Sequence, residues 1–298
     1  MSKYRSGFVA LLGRPNVGKS TLLNSLVGDK VAIVTDKPQT TRNRIQGIYT
    51  DEQRQIIFID TPGIHRPRTR LGSYMVKVAQ GALGGVDVAL HVVDGRVPIG
   101  QGDRHIASRF SGVGVPVLLA VNKIDMLNRA QTVLALDSYS RLADYTEIVP
   151  ISALKGDNVS RLLEVITKYL PEGPQFYPED TITDQPERFT VAELIREQVL
   201  ELTWDEVPHA VAVLIEEMAE REGKDLLYIR ATVLVEKESQ KRIIIGRGGR
   251  QLKAIGQEAR ASIEELFGQR VYLDLWVKVK EDWRDRERSL HELGFTDS

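Results

Sequence analysis

Residues 13–20 have the types and the spacing that bind a polyphosphate. They follow the pattern G-x-x-x-x-G-K-[ST], come directly after the apolar run 8–12, and precede a stretch with helical apolar spacing. Glycines let the backbone wrap phosphates, and the N–H groups of a helix N-terminus point at them. We expect Lys19 to reach the β- and γ-phosphates and the Ser20 hydroxyl to hold Mg²⁺. The predicted phosphate-binding residues are Gly13, Arg14, Pro15, Asn16, Val17, Gly18, Lys19, Ser20 and Thr21.

A second polar group indicates which base is recognised. The apolar run 115–121 is followed by Asn122, Lys123 and Asp125, and ligands bind at the carboxyl ends of strands in open α/β sheets. A carboxylate there accepts from N1–H and the exocyclic amine of guanine, whereas adenine offers neither and would leave Asp125 unpaired. The sequence therefore predicts guanine selectivity. The backbone that we expect to close over the base belongs to Ser152, Ala153 and Leu154.

Two further segments are predicted to contact Mg²⁺ and the γ-phosphate. The apolar run 56–59 ends at Asp60, Thr61, Pro62 and Gly63, where a carboxylate suits Mg²⁺ and a glycine N–H can bond the γ-phosphate. A threonine of the polar loop 37–42 would complete the metal shell, unless that loop is only a solvated connection. Thr40 and Thr41 both qualify by type. The predicted metal ligands are Ser20, Thr41 and Asp60, and the predicted catalytic residues are Lys19, Thr41, Asp60 and Gly63.

In this order the motifs resemble the Ras-like GTPase fold, a mostly parallel sheet with helices on both faces. Ras-like proteins place a water-orienting Gln directly after D-x-x-G, but Ile64 stands there and can form no hydrogen bond through its side chain. The sequence is similar to the hydrophobic-substituted branch of GTPases, which places Ile64 at the nucleotide. That resemblance also implies a potassium ion held by Asn16, for which a turn-forming residue is the alternative.

Length and composition favour two domains. A chain of 298 residues exceeds one typical core, and 42% hydrophobic with 27% charged residues is ordinary for a globular protein. We expect no signal peptide and no spanning helix, because no apolar stretch approaches about 18 residues. The absence of cysteine excludes disulfides and suits the cytoplasm. Proline spacing and motif positions suggest a first domain at 1–172, a linker at 173–189, a second domain at 190–284 and a tail at 285–298.

The second domain combines an acidic balance with a basic segment. Residues 237–260 contain seven basic and two acidic residues, around the G-x-x-G sequence of Gly246–Gly249. Apolar spacing predicts a helix and two strands before this loop and a helix and a strand after it. This order resembles a type II KH domain, an α+β fold whose loop clamps about four single-stranded nucleotides. Ile243, Ile244 and Ile245 favour a strand by propensity, whereas the resemblance implies a helix. A glycine-rich helix cap is the alternative. Predicted RNA-binding residues are Lys241, Arg242, Ile244, Ile245, Gly246, Arg247, Gly248, Gly249, Arg250 and Lys253.

A guanine-nucleotide domain followed by a KH domain resembles the Era family of GTPases over nearly the whole chain. The resemblance implies GTP or GDP with Mg²⁺, binding near the 3′ end of 16S rRNA, a role in assembly of the 30S ribosomal subunit, and peripheral membrane association. We expect a cytoplasmic monomer. Two alternatives are a signalling or membrane-associated GTPase whose second domain binds protein, and an enzyme acting directly on RNA. The second is weakened because His209 and His291 have no metal-ligand spacing.

Overall fold

A computed structural model describes residues 4–37, 39–64, 67, 69–221 and 225–295. The described chain forms two compact units. The first comprises Met1–Ala32, Thr41–Pro67 and Met75–Asp184, and the second comprises Ile33–Thr40, Arg68–Tyr74 and Gln185–Ser298. Residues 296–298 of the predicted tail lie outside the described residues. Among the described helices, none has both the length and the apolar character that crossing a bilayer requires.

The first unit contains a six-stranded sheet in the order β2-β3-β1-β4-β5-β6. Neighbouring strands run parallel, except that β2 is antiparallel to β3. Strand β4 is buried at every residue, as a strand covered on both faces should be. The predicted mostly parallel sheet is confirmed. Its strands are β1 (Arg5–Leu12), β2 (Ile45–Thr50), β3 (Arg54–Asp60), β4 (Val88–Asp94), β5 (Val117–Asn122) and β6 (Glu147–Pro150).

Helices cover both faces of this sheet. On one face, Ala10 and Ile59 pack with Ala79 and Ile106. On the other, Gly47 leaves room for α1, because a Cβ at Gly47 would stand 2.6 Å from Leu23 Cδ1. The predicted layered α/β arrangement is therefore confirmed. The connecting helices are α1 (Lys19–Val27), α2 (Arg70–Gly81), α3 (Gln101–Ala107), α4 (Arg129–Ser140) and α5 (Val159–Tyr169), of which residues 70–74 of α2 belong to the second unit.

Residues 173–184, predicted as the first part of the linker, are hydrogen-bonded to the first unit. The fully buried side chain of Gln55 accepts the N–H groups of Phe176 and Tyr177 at 2.7 and 3.0 Å and donates to the Tyr177 carbonyl at 2.9 Å. Beyond them, the Ile182 carbonyl accepts the N–H of Ile48 at 2.8 Å. This segment belongs to the first unit, a relation that its proline-rich composition could not indicate.

The second unit packs helices against a three-stranded sheet in the order β7-β8-β9. Strand β7 is antiparallel to β8, and β8 is parallel to β9. Ile243–Ile245 are helical, so the strand favoured by propensity is wrong and the helix implied by the resemblance is correct. The elements are α6 (Glu187–Glu201), α7 (Val207–Ala210), β7 (Ala212–Glu220), β8 (Leu227–Val235), α8 (Glu238–Ile245), α9 (Arg250–Phe267), β9 (Val271–Val279) and α10 (Glu287–Glu292).

We predict that Gln55→Ala destabilises the first unit by about 2 kcal/mol or more, because buried backbone groups lose their partners. The amide protons of Phe176 and Tyr177 should also exchange faster. Urea unfolding and hydrogen exchange measure the two effects. Gln53→Ala is the matched control, since Gln53 lies exposed two residues away. Equal stability of the two variants would contradict the prediction.

Candidate functional site

The phosphate loop 13–20 joins β1 to α1 and is held by close backbone contacts. A Cβ at Gly63 would stand 2.6 Å from the backbone nitrogen of Pro15, so only glycine lets the segment after β3 approach the loop. Gly18 has φ 96°, and a Cβ there would stand 2.4 Å from Asn122 Nδ2. The segment that contains Gly63 and the base-recognition segment that begins at Asn122 therefore both lie directly against the phosphate loop.

Lys19 and Asp60 place two charges inside this site. Both residues are buried. Lys19 Nζ donates to the carbonyls of Gly13 and Arg14 at 3.2 and 3.1 Å. Burial lowers the pKa of Lys19 despite the nearby Asp60, and burial raises the pKa of Asp60 despite Lys19 and its hydrogen bonds. The fold thus brings an ammonium and a carboxylate together where little water screens them.

Three predicted metal ligands converge at this point. Ser20 Oγ donates to Asp60 Oδ2 at 2.6 Å and lies 2.9 Å from Thr41 Oγ1, which lies 3.4 Å from the same carboxylate oxygen. Asp60 Oδ1 is buried and has no hydrogen-bond partner among the described residues. Hard oxygen donors beside an unsatisfied carboxylate oxygen fit Mg²⁺. Thr40 is directed elsewhere, since its hydroxyl bonds the Lys37 carbonyl at 2.8 Å.

The predicted base-recognition residues form a connected loop after β5. Asn122 Nδ2 donates to the Val17 carbonyl at 2.9 Å, and Asn122 Oδ1 accepts the N–H of Ala153, also at 2.9 Å. Ser152 Oγ donates to Asp125 Oδ1 at 2.6 Å. Asp125 is exposed, as a group that meets a base must be. Leu154 is also exposed. The structure brings both predicted base-binding segments together.

The side chains of three predicted nucleotide-binding residues contact the surrounding protein. Thr61 is fully buried and donates to the Leu11 carbonyl at 2.9 Å, and Ile64 packs in the core. The guanidinium of Arg14 forms an ion pair with buried Asp103, with Nε 2.9 Å from Oδ1. These side chains contact the protein, so the predicted nucleotide contacts of residues 14, 61 and 64 stay predictions that would involve their backbone groups.

Asn16 has features of a turn residue. Its φ of 62° lies in the left-handed region, which asparagine adopts more readily than most residues. Its carbonyl accepts the Lys123 ammonium at 2.6 Å, and its side chain is exposed. This conformation agrees with the turn alternative. Nearby, Pro62 is buried and Thr21 is half-buried.

The second unit contains a cleft of 430 Å³ between α9 and β9. Its wall includes the apolar Leu252, Leu273 and Leu275 and the basic Lys253 and Arg260. Gly249 forms part of the lining, so the cleft begins at the G-x-x-G loop. An apolar floor with cations at the rim suits stacked bases with phosphates at the edge.

The G-x-x-G loop leaves its backbone open to a ligand. Gly248 and Gly249 have φ of 60° and 77°, and a Cβ at either would meet no described atom within 4 Å. Ile244 is fully buried in the core, so its predicted RNA contact is corrected: it supports the loop from beneath. Of the remaining predicted RNA-binding side chains, four are exposed: Arg242, Arg247, Arg250 and Lys253. Two are half-buried: Lys241 and Ile245.

Comparison with known proteins agrees with both sites. Residues 8–123 match the family model described as a 50S ribosome-binding GTPase, and residues 206–284 match a KH-domain model. The chain is 54% identical to GTPase Era of Alkaliphilus oremlandii over 292 residues, covering 98% of this chain and 99% of that protein. The chain belongs to the Era family of GTPases.

Two Era crystal structures resemble the whole chain. Era of Aquifex aeolicus bound to GDP·AlF4⁻ has a TM-score of 0.94 at 42% identity, covering 98% of this chain and all of that one. Era in complex with MgGDPNP and nucleotides 1506–1542 of 16S ribosomal RNA has a TM-score of 0.95 at 43% identity, covering 99% of this chain and all of that one. The predicted Era resemblance is confirmed.

Sequence reasoning missed four residues at these Era sites. Asp94 ends β4 and pairs with Lys123, Asp103 pairs with Arg14, and Arg260 and Tyr272 line the cleft. Asp94 could have been found, because it ends an apolar run as Asp60 does and carboxyl ends of neighbouring parallel strands meet at one edge. Asp103 had no such signal, since its partner is distant in sequence.

We predict that Thr41→Val raises the Mg²⁺ concentration for half-maximal GTP hydrolysis about ten-fold, as for the loss of one oxygen partner. Thr40→Val is the matched control, because Thr40 is equally buried but contacts Lys37 instead of Asp60. It should shift the midpoint less than about two-fold. A Mg²⁺ titration of phosphate release checks both variants, and equal shifts would refute the assignment of Thr41.

Proposed function

We propose that this Era-family GTPase binds single-stranded RNA near the 3′ end of 16S rRNA and assists assembly of the 30S ribosomal subunit. The observation that carries the proposal is the open G-x-x-G backbone at the mouth of an apolar cleft with Lys253 and Arg260 on its rim. The Era relative solved with nucleotides 1506–1542 of 16S rRNA supports the choice of RNA. GTP hydrolysis would act as the switch.

The residues of the first unit can be given roles in that hydrolysis. Lys19 would bind the β- and γ-phosphate oxygens, and the N–H of Gly63 would bond the γ-phosphate. Ser20, Thr41 and Asp60 would hold Mg²⁺, which when bound neutralises the negative charge that develops during phosphoryl transfer. Ile64 cannot orient water, because its side chain is apolar and buried in the core. Water must therefore be positioned by a group other than the Ile64 side chain.

The second unit would bind RNA chiefly through its backbone and rim charges. A phosphate can approach Gly248 and Gly249 closely, because neither carries a Cβ. Lys253 and Arg260 would contact phosphates, and Leu252 and Leu273 would contact bases. We further propose that bound RNA accelerates GTP hydrolysis. We propose that the chain is organised as a GTP-binding domain at 1–172, a linker at 173–189, a KH domain at 190–284 and a tail at 285–298. Residues 173–184 of the linker are attached to the first domain.

The proposal also covers the cellular location and the oligomeric state of the protein. We propose a cytoplasmic monomer that associates peripherally with the cell membrane. Cell fractionation tests this location, and protein found only in the ribosomal fraction would contradict membrane association. The alternative of a signalling GTPase whose second domain binds protein is an outcome of the RNA experiment below.

We predict that single-stranded RNA with the 16S 3′-terminal sequence binds more tightly than its duplex, and that Gly249→Asp weakens binding about ten-fold or more. The aspartate would place a negative charge where a phosphate approaches. Gly268→Asp is the matched control, because Gly268 has a similar φ and equal space at the other end of α9. Lys253→Ala and Arg260→Ala should each reduce the salt slope by about one.

Fluorescence anisotropy measures this binding, and phosphate release follows GTP hydrolysis in the same samples. If Gly249→Asp binds RNA as tightly as Gly268→Asp, the RNA site is wrong and the protein-binding alternative gains. If the wild type binds RNA with no change in hydrolysis rate, the stimulation by RNA is wrong and the RNA site stands.

We also propose that Asn16 holds a potassium ion beside the phosphates. Replacing K⁺ by Na⁺ should slow hydrolysis about ten-fold or more, because positive charge supplied there by arginine in other GTPases contributes on the order of 10³-fold or more. Asn16→Ala should remove the difference between the two salts. Single-turnover rates in KCl and NaCl provide the measurement, and equal wild-type rates would leave Asn16 as a turn residue.

A further inference from the structure

Lys123 joins three elements of the first unit through its ammonium group. Its Nζ donates to the Asn16 carbonyl of the phosphate loop at 2.6 Å and lies 2.9 Å from Asp94 Oδ2 at the end of β4. Lys123 itself follows β5 in the base-recognition loop. The ammonium therefore connects the loop that reads the base with the loop that holds the phosphates.

The carboxylate of Asp94 contacts two cationic side chains. Only 5% of the residue is exposed, yet its carboxylate meets both Lys123 and Arg96, the latter at 3.0 Å through Nε and 2.7 Å through Nη2. Burial alone would raise the pKa of Asp94, but the hydrogen bonds from Arg96 and Lys123 outweigh it and bring the pKa to about 2. The Asp94 carboxylate is therefore ionised at neutral pH.

The backbone around Asp94 is held just as firmly. Asp94 lies opposite Asn122 in the parallel ladder of β4 and β5, and the N–H of Gly95 donates to the Asn122 carbonyl at 2.9 Å. Tyr139, 1% exposed, donates its hydroxyl to the Val97 carbonyl at 3.2 Å. The carboxylate is thus held next to the base-recognition loop by contacts within the protein.

We propose that Asp94 is a positioning residue for guanine-nucleotide binding, which acts by holding the Lys123 ammonium against the phosphate loop. A free lysine side chain loses conformational entropy when it is ordered. Contacts within the protein, to Asp94 and to the Asn16 carbonyl, order Lys123, so this cost does not fall on the nucleotide. Because a nucleotide must contact both loops at once, their relative position sets its affinity.

Asp94→Asn tests this role, because a carboxamide has the same shape and its oxygen can still accept hydrogen bonds. We expect this variant to bind GTP and GDP about ten-fold more weakly, as for loss of a charge-assisted hydrogen bond. The rate of hydrolysis at saturating GTP should stay within about two-fold of the wild-type rate. Asp94→Ser, also uncharged and small enough to fit, should weaken both nucleotides similarly and provides the test if the amide variant is unstable.

Arg96→Ala is the matched control, since it removes the other cation of the same carboxylate and should leave nucleotide affinity within about two-fold of wild type. In a Lys123→Ala background, Asp94→Asn should cause no further loss, because its effect passes through Lys123. For every variant, fluorescence measures the nucleotide affinities and thermal unfolding measures the stability of the protein.

The proposal is overturned if the Asp94→Asn variant binds GTP as tightly as the wild type does. It is also overturned if Asp94→Asn lowers the affinity for GTP equally in the wild-type and Lys123→Ala backgrounds. The inference rests on guanine-nucleotide binding by the first unit, and wild-type affinity for GTP tests that separately. A saturating rate that falls in step with affinity would also contradict a role confined to binding.

Discussion

The nucleotide site depends on two charges, Lys19 and Asp60, that the fold removes from water. The effective cost of burying an ion is several kcal/mol, so each charge requires compensation. The protein supplies part of it: carbonyls of Gly13 and Arg14 accept from Lys19, and Ser20 and Thr41 meet Asp60. The remainder must come from ligands of opposite sign, phosphate oxygens for the ammonium and a metal ion for the carboxylate. The unsatisfied Asp60 Oδ1 marks where that compensation is incomplete.

Much of the first unit could be predicted from local sequence, because its chemistry lies at the ends of buried strands. Asp60 and Asn122 each end an apolar run, and the parallel sheet brings those ends to one edge. The direction in which each side chain points could not be predicted from the sequence. Arg14 belongs to the phosphate loop by position, yet it pairs with Asp103, a residue of α3. Such pairs depend on packing between elements distant in the chain, which no local pattern contains.

In the second unit, local propensity and tertiary context disagreed. Three successive isoleucines favour a strand, but they end α8, where Ile244 is fully buried and Ile245 packs against the core. Burial of one helix face outweighs a propensity difference of less than about 1 kcal/mol per residue. The same burial explains why Ile244 was assigned to RNA incorrectly. An apolar residue beside a binding loop can support the loop or line the cleft, and sequence alone does not distinguish the two.

The two edges of the six-stranded sheet are protected in different ways. Edge β6 has only four residues and ends at Pro150, which has no N–H to offer. Edge β2 is longer, and the Ile182 carbonyl and Thr183 hydroxyl occupy its backbone groups at Ile48 and Gln46. An open strand edge is a template on which another chain can add a strand. A fragment ending at residue 172 would expose that template and favour self-association into extended sheets, whereas a fragment ending at 184 would keep it covered.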